Sequence, residues 1–461
     1  MKKIFLLALA AATVATASAE GYQVNTLSAK QLGMGHTGVS QKLGSESVWF
    51  NPAAAAYQEQ RFTVAAGVTG IMPVATFTGT ASGVTTTTDN DMSTPIFLNL
   101  NYKVNDDLAV GLNFNTPYGS SMNWGESWEG AHMIQSIKMQ SYSVQPTVSY
   151  KLFDDKLSIG AGFMIGWGSF ELSKSALPVG DAGAEVIYAL TYQTYTAGGL
   201  DAATAATNAD GAKAVAQLAG DEPMASVALE GKAELTFGVN VGLLYDINDK
   251  WSVGASYRSK MKMDVEAGDT SVSLIDNETI VGQGLLSTVS AMDGVNFSAS
   301  LPMPAVFTAG ATYYPTEDWT VSADFQLTQW SAYETLNFDF ASATVADQIS
   351  AKKYKNAFAV RLGAQYDVCE NFTARIGTYY DGSPVEDGYM SPETPSTNKL
   401  AGTCGVSYRL CDMLSIDLAY AYIGSLGGVR EGCSCASDYG SFAGDYKATA
   451  NVFSVGVALG F

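Results

Sequence analysis

Large apolar residues alternate with small or polar residues in many segments along this chain. In the last segment, residues 453–461, Phe, Val and Leu occupy every second position and Ser, Gly and Ala lie between them. A period of two is typical of a β-strand with one apolar face. Because such segments recur along the chain, the pattern predicts an all-β protein.

Two kinds of connection separate these segments. Short acidic turns alternate with long irregular loops, and together they join fourteen predicted strands. An even number of strands, with short turns at one end and long loops at the other, is typical of bacterial outer-membrane barrels. We therefore predict a 14-stranded antiparallel transmembrane β-barrel. The short turns are expected at 105–107, 153–156, 247–250, 315–318, 368–371 and 411–413, and the long loops at 73–94, 117–138, 171–232, 264–302, 331–354, 382–397 and 425–447.

The first nineteen residues have the composition of an export signal. Lys2 and Lys3 are followed by an apolar run over 4–14 and by the small residues Ala17-Ser18-Ala19. This arrangement predicts a signal peptide at 1–19 and a location in the outer membrane of a Gram-negative bacterium. A large periplasmic or secreted β-sandwich is the alternative for an exported chain with alternating segments.

Residues 20–60 do not follow the strand pattern, because the glycines at 33, 35, 38 and 44 interrupt them. A fourteen-stranded barrel is too wide for its wall side chains to fill, so a plug inside it is physically reasonable. We predict an N-terminal hatch at 20–60 that folds into the lumen, ahead of the barrel at 61–461. Gly33 to Gly38 matches G-x-G-x-x-G, but no βαβ unit surrounds it, so we expect close packing against the wall instead of a dinucleotide site.

The alternation also assigns a face to each strand. Phe358, Val360 and Leu362 share one face, which we assign to lipid. A charged side chain on that face would cost about 2–4 kcal/mol at mid-membrane, so charges are expected inside. The lumen charges, which should pair with each other and with the hatch, are Arg258, Asp324, Arg361, Arg375 and Asp417.

Two further sites are predicted from single positions. Strand parity points Lys355 into the lumen at the loop end of its strand, without an acidic neighbour in sequence, and it is our candidate contact for a fatty-acid head group. Pro117-Tyr118-Gly119 ends the third strand, where Pro cannot donate to the sheet and Gly weakens it. We predict a lateral opening in the wall there. The alternative is that these residues only begin a loop.

Composition excludes several other functions. The formal net charge of −20 is unsuited to nucleic acid, and with two histidines and five cysteines at these spacings we expect no metal site. We predict no cofactor and no catalytic residue, because His132 is the sole placed candidate for a triad and no G-x-S-x-G elbow is present.

A general diffusion porin and an outer-membrane lipid-modifying enzyme are the alternatives. A bridge between Cys369 and Cys411 is conceivable, and Cys433 and Cys435 share one loop.

Several short motifs, taken in order, resemble the FadL family of outer-membrane transporters for long-chain fatty acids and other hydrophobic compounds. The resemblance implies a hatch containing Asn51-Pro52-Ala53, a kinked third strand with a lateral opening near Gly119, and Lys355 as a candidate head-group contact. It also implies a basic residue near the end of the fifth strand, where Lys174 is the nearest. The motifs are Gly21-Tyr22-Gln23, Asn51-Pro52-Ala53, Asn115-Thr116-Pro117-Tyr118-Gly119, Tyr257-Arg258-Ser259, Trp330-Ser331, Tyr354-Lys355-Asn356-Ala357 and Asp381-Gly382-Ser383-Pro384-Val385.

The expected activity is passive uptake of a hydrophobic small molecule. We predict capture between the loops at 171–232 and 264–302, binding in the lumen, movement of the hatch and lateral release into the membrane. The expected partners are this ligand, outer-membrane lipid and the barrel-assembly machinery, with no nucleic acid and a monomeric protein.

Overall fold

The wall of the molecule is built from fourteen antiparallel strands. The computed structural model describes residues 21–274, 289–386, 388–426, 430–431, 436–437, 440–441 and 443–461, so the predicted signal peptide, Cys433 and Cys435 lie outside the described residues. The wall strands are Phe62–Gly79, Ile96–Lys103, Leu108–Asn115, Ser136–Leu152, Leu157–Ser175, Ala225–Asn248, Trp251–Arg258, Val306–Thr316, Trp319–Thr328, Ala357–Cys369, Phe372–Asp381, Lys399–Cys411, Leu414–Ser425 and Gly444–Gly460.

Each wall strand pairs with its neighbours, and the first pairs with the last. The register of this closing pair runs from Thr63 opposite Gly460 to Gly79 opposite Gly444. Phe461 and Phe62 exchange backbone hydrogen bonds of 2.8 and 3.1 Å, and their rings stack. A closed sheet has no free edge, as a barrel in lipid requires. The predicted fourteen-stranded barrel is confirmed.

The connections also follow the prediction. Short turns join strands at all six expected positions, and this rim of the barrel is called the turn end. At the opposite rim, the loop end, the long connections carry structure of their own, and the loop at 171–232 is shorter than predicted because its flanking strands extend to Ser175 and back to Ala225. The additional strands are Thr85–Thr87, Gly119–Asn123, Met261–Leu274, Asn296–Met303, Thr335–Phe340, Gln348–Ala351, Arg430–Glu431, Ala436–Ser437 and Gly440–Ser441.

The two faces of the wall differ as alternation predicts. Phe358, Val360 and Leu362 are 45%, 41% and 51% exposed on the outside, whereas Ala359 and Arg361 between them are buried in the lumen. The outward residues of the last strand, Phe453 and Val455, are likewise exposed. A continuous apolar exterior is the surface that lipid covers.

Residues 21–61 precede the first wall strand and fold inside the barrel. We call residues 21–57 the hatch segment. Its short helices are Ala29–Gly33, Gly44–Glu46, Ser47–Phe50 and Pro52–Tyr57, and most of their residues are buried. None of the described helices is long and apolar enough to cross a membrane.

Two helices form a hairpin at the loop end. An alanine-rich stretch forms the helix Ala202–Gln217, capped by Asp201, whose carboxylate accepts hydrogen bonds from the Ala203 and Thr204 N–H groups. Gly180–Ala197 packs against it and was not predicted. Its Val, Ile, Tyr and Thr residues favour strand intrinsically, so the packing between the two helices overrides local preference.

Candidate functional site

A cavity of about 800 Å³ passes from the outer surface of the wall into the lumen near the loop end. Val74, Met92 and Ile96 line its outer part and are exposed on the barrel exterior. His36 and Tyr379 are buried and line its inner part. This volume is in the range that accommodates a drug-sized ligand. Further apolar lining comes from Val24, Ile71, Pro95, Met122, Met139, Ile423, Ala448, Ala450 and Val452.

The cavity reaches the exterior where the third wall strand is interrupted. This strand pairs with the second as far as Asn115, stops, and resumes as Gly119–Asn123 against the fourth strand. The predicted lateral-opening residues Pro117, Tyr118 and Gly119 therefore lie at a break in the wall.

The hatch segment occupies the edge left open by this break. The Val24 N–H donates to Pro117 O at 2.8 Å, and the Gly119 N–H donates to Tyr22 O at 2.9 Å. Gln23 and Tyr118 form an isolated antiparallel bridge. Thus residues 22–24 satisfy backbone groups that the second wall strand does not reach, and Gln23 and Val24 line the cavity at the same place.

Buried Lys352, half-buried Lys174 and the carboxylate of Glu393 lie beside the inner end of the cavity. Lys352 Nζ lies 3.2 Å from Glu393 Oε1, with side-chain exposures of 3% and 16%. Lys174 Nζ donates to Gln348 Oε1 at 2.8 Å and forms no ion pair within the described part of the chain. Its charge interacts with those of Lys352 and Glu393. Among these three described side chains, two are cations and one is an anion.

The environment keeps Glu393 ionised. Burial raises the pKa of this carboxyl, but the nearby Lys352 ammonium and a hydrogen bond from Ser391 outweigh it, so the pKa lies below its ordinary value. In the same cluster, burial raises the pKa of Tyr354, whose hydroxyl lies 2.7 Å from Thr394 Oγ1. Tyr354 is therefore a neutral neighbour of the charged group.

Lys355, the candidate chosen from sequence, lies three residues from this cluster. Its side chain is exposed, its backbone N–H donates to Pro384 O at 2.7 Å, and it does not line the cavity. Three of the four residues in 352–355 are lysines, and the segment is not a strand, so alternation could not indicate which lysine is buried. Glu393 had no sequence signal, since it lies far along the chain in an irregular loop.

Methionine and aromatic side chains pack around the cavity in the part of the lumen nearer the loop end. Tyr22 packs edge-on against Trp330 and Tyr333, with ring centroids 4.8 and 5.7 Å away. Methionine is flexible and polarisable, so it adapts to ligands of different shape. The buried methionines of this apolar cluster are Met122, Met139, Met164, Met261, Met263, Met303 and Met390.

The predicted hatch triplet closes the lumen towards the turn end. Asn51 Nδ2 donates to Val39 O and Leu243 O at 2.6 and 3.0 Å, while its Oδ1 accepts from the Ala53 N–H at 3.0 Å. A side chain at the wall position Gly242 would lie 1.9 Å from Asn51 Oδ1, and one at Gly160 would lie 2.4 Å from the Ala53 nitrogen. Glycine is thus required at both wall positions for this close approach.

The glycine-rich loop packs on the wall in a similar way. A Cβ at Gly363 would lie 2.2 Å from Met34 O, and one at Gly377 would lie 2.2 Å from the Gly35 nitrogen. The Gly35 N–H also donates to Thr403 Oγ1 at 3.0 Å. This bears out the prediction of close packing for the G-x-G-x-x-G sequence.

The predicted lumen charges mostly contact the hatch. Asp324 accepts hydrogen bonds from the Gly38 and Val39 N–H groups, Arg361 donates to His36 O, and the Arg258 guanidinium lies 4.6 Å from the centre of the Trp49 ring. Arg375 donates to Gln365 and Ser407, and Ser407 donates to Asp417.

Two charged hatch residues were missed by the sequence reasoning. Lys30 lies 3.0 Å from Glu46 and 3.7 Å from Asp417, so it links the hatch to the wall. Strand alternation gave no information about the hatch segment, because that segment is not a strand.

His132 and the described cysteines form no reactive site. Burial, together with the charge of Lys174, lowers the pKa of His132 to about 4, so its ring is neutral near neutral pH. Cys369, Cys404 and Cys411 are exposed free thiols. The bridge considered between Cys369 and Cys411 is not formed, because one strand separates the strands that carry them and two strand spacings of about 4.8 Å exceed the Cα separation a disulfide allows.

A closed barrel with a plugged lumen and a cavity that opens through its wall defines the class of an outer-membrane transport protein. The chain belongs to the family of outer membrane protein transport proteins known as OMPP1/FadL/TodX, whose model matches residues 9–461. It is thus an outer-membrane transporter of FadL type. The family is made up of transport proteins, not enzymes.

Individual relatives agree with this assignment. The long-chain fatty acid transport protein of Salmonella typhi is 25% identical over 428 residues, which cover 90% of this chain and 90% of the relative. A Pseudomonas aeruginosa FadL homologue has a similar fold, with a TM-score of 0.76, 19% identity, and coverage of 96% of this chain and 100% of the homologue. The toluene transporter TodX of Pseudomonas putida has a TM-score of 0.67 and 17% identity, over 95% of this chain and 99% of TodX.

Proposed function

We propose that this protein takes up long-chain fatty acids or similar hydrophobic molecules that carry an anionic head group. The observation that carries the proposal is the position of Lys174, Lys352 and Glu393, two cations and one anion, beside a cavity with much apolar lining. Each buried CH₂ group of an acyl chain contributes about 0.8 kcal/mol, and a buried cation supplies a partner for a carboxylate.

We further propose that the ligand leaves sideways through the break at Pro117, Tyr118 and Gly119. Between the cavity and the turn end, the lumen holds the hatch segment together with buried polar and charged groups such as Asp324, Arg361 and Asn240. An acyl chain passing straight down would exchange apolar contacts for these groups. The wall around the break offers exposed Val74, Met92 and Ile96 instead, which continue into lipid.

Movement of the hatch completes the proposed route. Residues 22–24 bond to the edge of the break, and Gln23 and Val24 line the cavity, so a ligand that displaces them also frees this edge. The predicted capture site between the loops at 171–232 and 264–302 stays a prediction, and residues 275–288 of it lie outside the described residues.

The rival function is a general porin for small polar solutes. The buried hatch segment argues against it, because Asn51 bonds to Val39 and Leu243 and holds the hatch across the lumen, although a cavity of about 1120 Å³ remains at the turn end. Liposomes that contain the protein and swell in small sugars at porin-like rates would support the rival function. Mass spectrometry of lipids that co-purify from the native membrane should instead detect acyl chains or other oily molecules.

A binding experiment separates the candidate head-group residues. Purified protein is titrated with hexadecanoate and with hexadecanol, using Lys174→Met, Lys352→Met with Glu393→Gln, and Lys355→Met. We expect the first two variants to lose about tenfold in affinity for the acid, equivalent to one charge-assisted hydrogen bond, with little change for the alcohol. Lys355→Met serves as the matched exposed control. If Lys355→Met alone weakens binding of the acid, the head-group site is at Lys355, as sequence predicted.

A further inference from the structure

A group of uncharged polar side chains lies on the inner wall next to the break in the third strand. Asn115 and Ser143 are directly opposite each other in the ladder between the third and fourth strands, and Asn113 lies two residues before Asn115 on the same inner face. All three are buried, with exposures of 0%, 0% and 1%. In such a ladder they lie within about 7 Å of one another.

Several polar atoms of this group have no hydrogen-bond partner among the described residues. They are both side-chain atoms of Asn115, the hydroxyl oxygen of Ser143 and Oδ1 of Asn113. Nearby amides on the same wall are bonded: Gln145 donates to Val48 O at 2.9 Å, and Asn240 donates to Trp49 O at 2.8 Å. Buried polar groups are normally paired, so the unpaired set requires an explanation.

The surroundings define what this group could bind. The buried inward side chains of the second, third and fourth strands around it are Phe97, Asn99, Asn101, Ala109, Met139, Ser141, Gln145, Thr147 and Ser149, and none of these is charged; Lys151 lies at the turn end of the fourth strand. On these three strands the donors and acceptors next to the break lie together without a cation, and the Arg258 charge that reaches the break acts on Tyr118. This chemistry suits an uncharged head group that both donates and accepts a hydrogen bond, and it does not stabilise a carboxylate.

We propose that Asn113, Asn115 and Ser143 form a neutral polar subsite for the head group of a departing ligand, in the form of a primary alcohol or a protonated carboxylic acid. The inference rests on the proposed function, because helix Ser47–Phe50 lies against this wall and must shift before a ligand reaches it. An uncharged head group at this point can enter lipid with its chain, which an anion cannot do without a large desolvation cost. The subsite therefore extends the cargo to neutral amphiphiles such as fatty alcohols.

The test compares cargo with and without a head group. Cells that express the full chain, or its Asn115→Leu/Ser143→Ala variant, are supplied with labelled hexadecanol and labelled hexadecane. We expect the variant to take up alcohol about tenfold more slowly, with hydrocarbon uptake unchanged and no loss of thermal stability in the purified protein, since unpaired polar atoms are removed. Gln145→Met, which removes a bonded amide of the same wall, should instead lower thermal stability.

Other outcomes overturn the subsite. Equal loss of alcohol and hydrocarbon uptake would show that Asn115 and Ser143 are structural, and retention of both would show that they are not used. If the double variant does not fold, Ser143→Ala alone should still slow alcohol uptake while hydrocarbon uptake stays at the wild-type rate. Alcohol uptake by Ser143→Ala at the wild-type rate would count against the subsite. Wild-type protein that binds no fatty acid would overturn the proposed function, whereas normal wild-type binding with unaltered variant uptake overturns the subsite alone.

Discussion

Lys352 and Glu393 form an ion pair of 3.2 Å at a place where both side chains are largely removed from solvent. Replacing Glu393 by Gln removes the carboxylate that faces buried Lys352 and whose charge also acts on half-buried Lys174. Breaking a buried pair by removing one partner costs about 3–5 kcal/mol, so we expect lower thermal stability without ligand. We also expect tighter binding of hexadecanoate, which restores the missing negative charge, and unchanged binding of hexadecanol. Equal changes for acid and alcohol in calorimetric titrations would refute the charge argument.

The same ion pair predicts a pH dependence of stability. The pKa of Glu393 lies below its ordinary value of 4.5 in the folded protein, so the carboxylate binds protons less readily there than in the unfolded chain. The stabilisation is therefore fully present above that ordinary value and is lost as the pH falls through the lower, folded-state value. Melting temperatures of wild type and Glu393→Gln should differ at neutral pH and converge in acid. A difference that stays constant into strong acid would contradict the assignment.

Gly119→Arg should block uptake through the wall. A side chain at this position begins 3.3 Å from Met139 O and 3.7 Å from a methyl group of Val24, at the seam between the broken strand and the hatch segment. We expect at least about a tenfold loss of fatty-acid uptake with a normally folded barrel, because a charged group is costly in an apolar passage.

Two matched variants control this experiment. Gly119→Ala places only a methyl group at the seam and should retain uptake. Gly211→Arg introduces the same side chain into helix Ala202–Gln217, where no atom lies within 4 Å of the new Cβ. Undiminished uptake by folded Gly119→Arg would exclude the lateral route.

Gly242→Ala should loosen the hatch while the wall remains intact. The new methyl group would lie 1.9 Å from Asn51 Oδ1 and 3.0 Å from the Pro52 ring, so the triplet must shift. We expect residues 51–57 to lose about 1–3 kcal/mol of protection in hydrogen exchange. Gly402→Ala, at a wall glycine with no atom within 4 Å, is the control and should change nothing. Unchanged protection at Asn51 would indicate that the hatch contact is not rigid.

The barrel could be predicted because lipid imposes a rule on every strand. A residue such as Leu362 is outside and Arg361 is inside because a charge in hydrocarbon is costly, so alternation alone assigns both. The positions of the short turns followed from the acidic and Asn residues between alternating segments. These signals are local in sequence and repeat along the chain.

The site could be predicted only where backbone chemistry marks it. Pro117 and Gly119 interrupt a strand by themselves, so the break was visible in sequence. The pairing of Lys352 with Glu393 joins two irregular loops, and the contact of Lys30 with Asp417 joins the hatch to the thirteenth strand. Such contacts depend on how loops and hatch fold over the lumen, and no periodicity encodes them.

The clamping of Asn51 between Val39 and Leu243 bears on the survival of the cell that carries this protein. A bacterium depends on its outer membrane to exclude small toxic compounds, and an unobstructed pore compromises that defence. With the hatch held across the lumen in this way, each additional copy would, on the proposed function, increase nutrient supply while the path for water-soluble antibiotics stays obstructed.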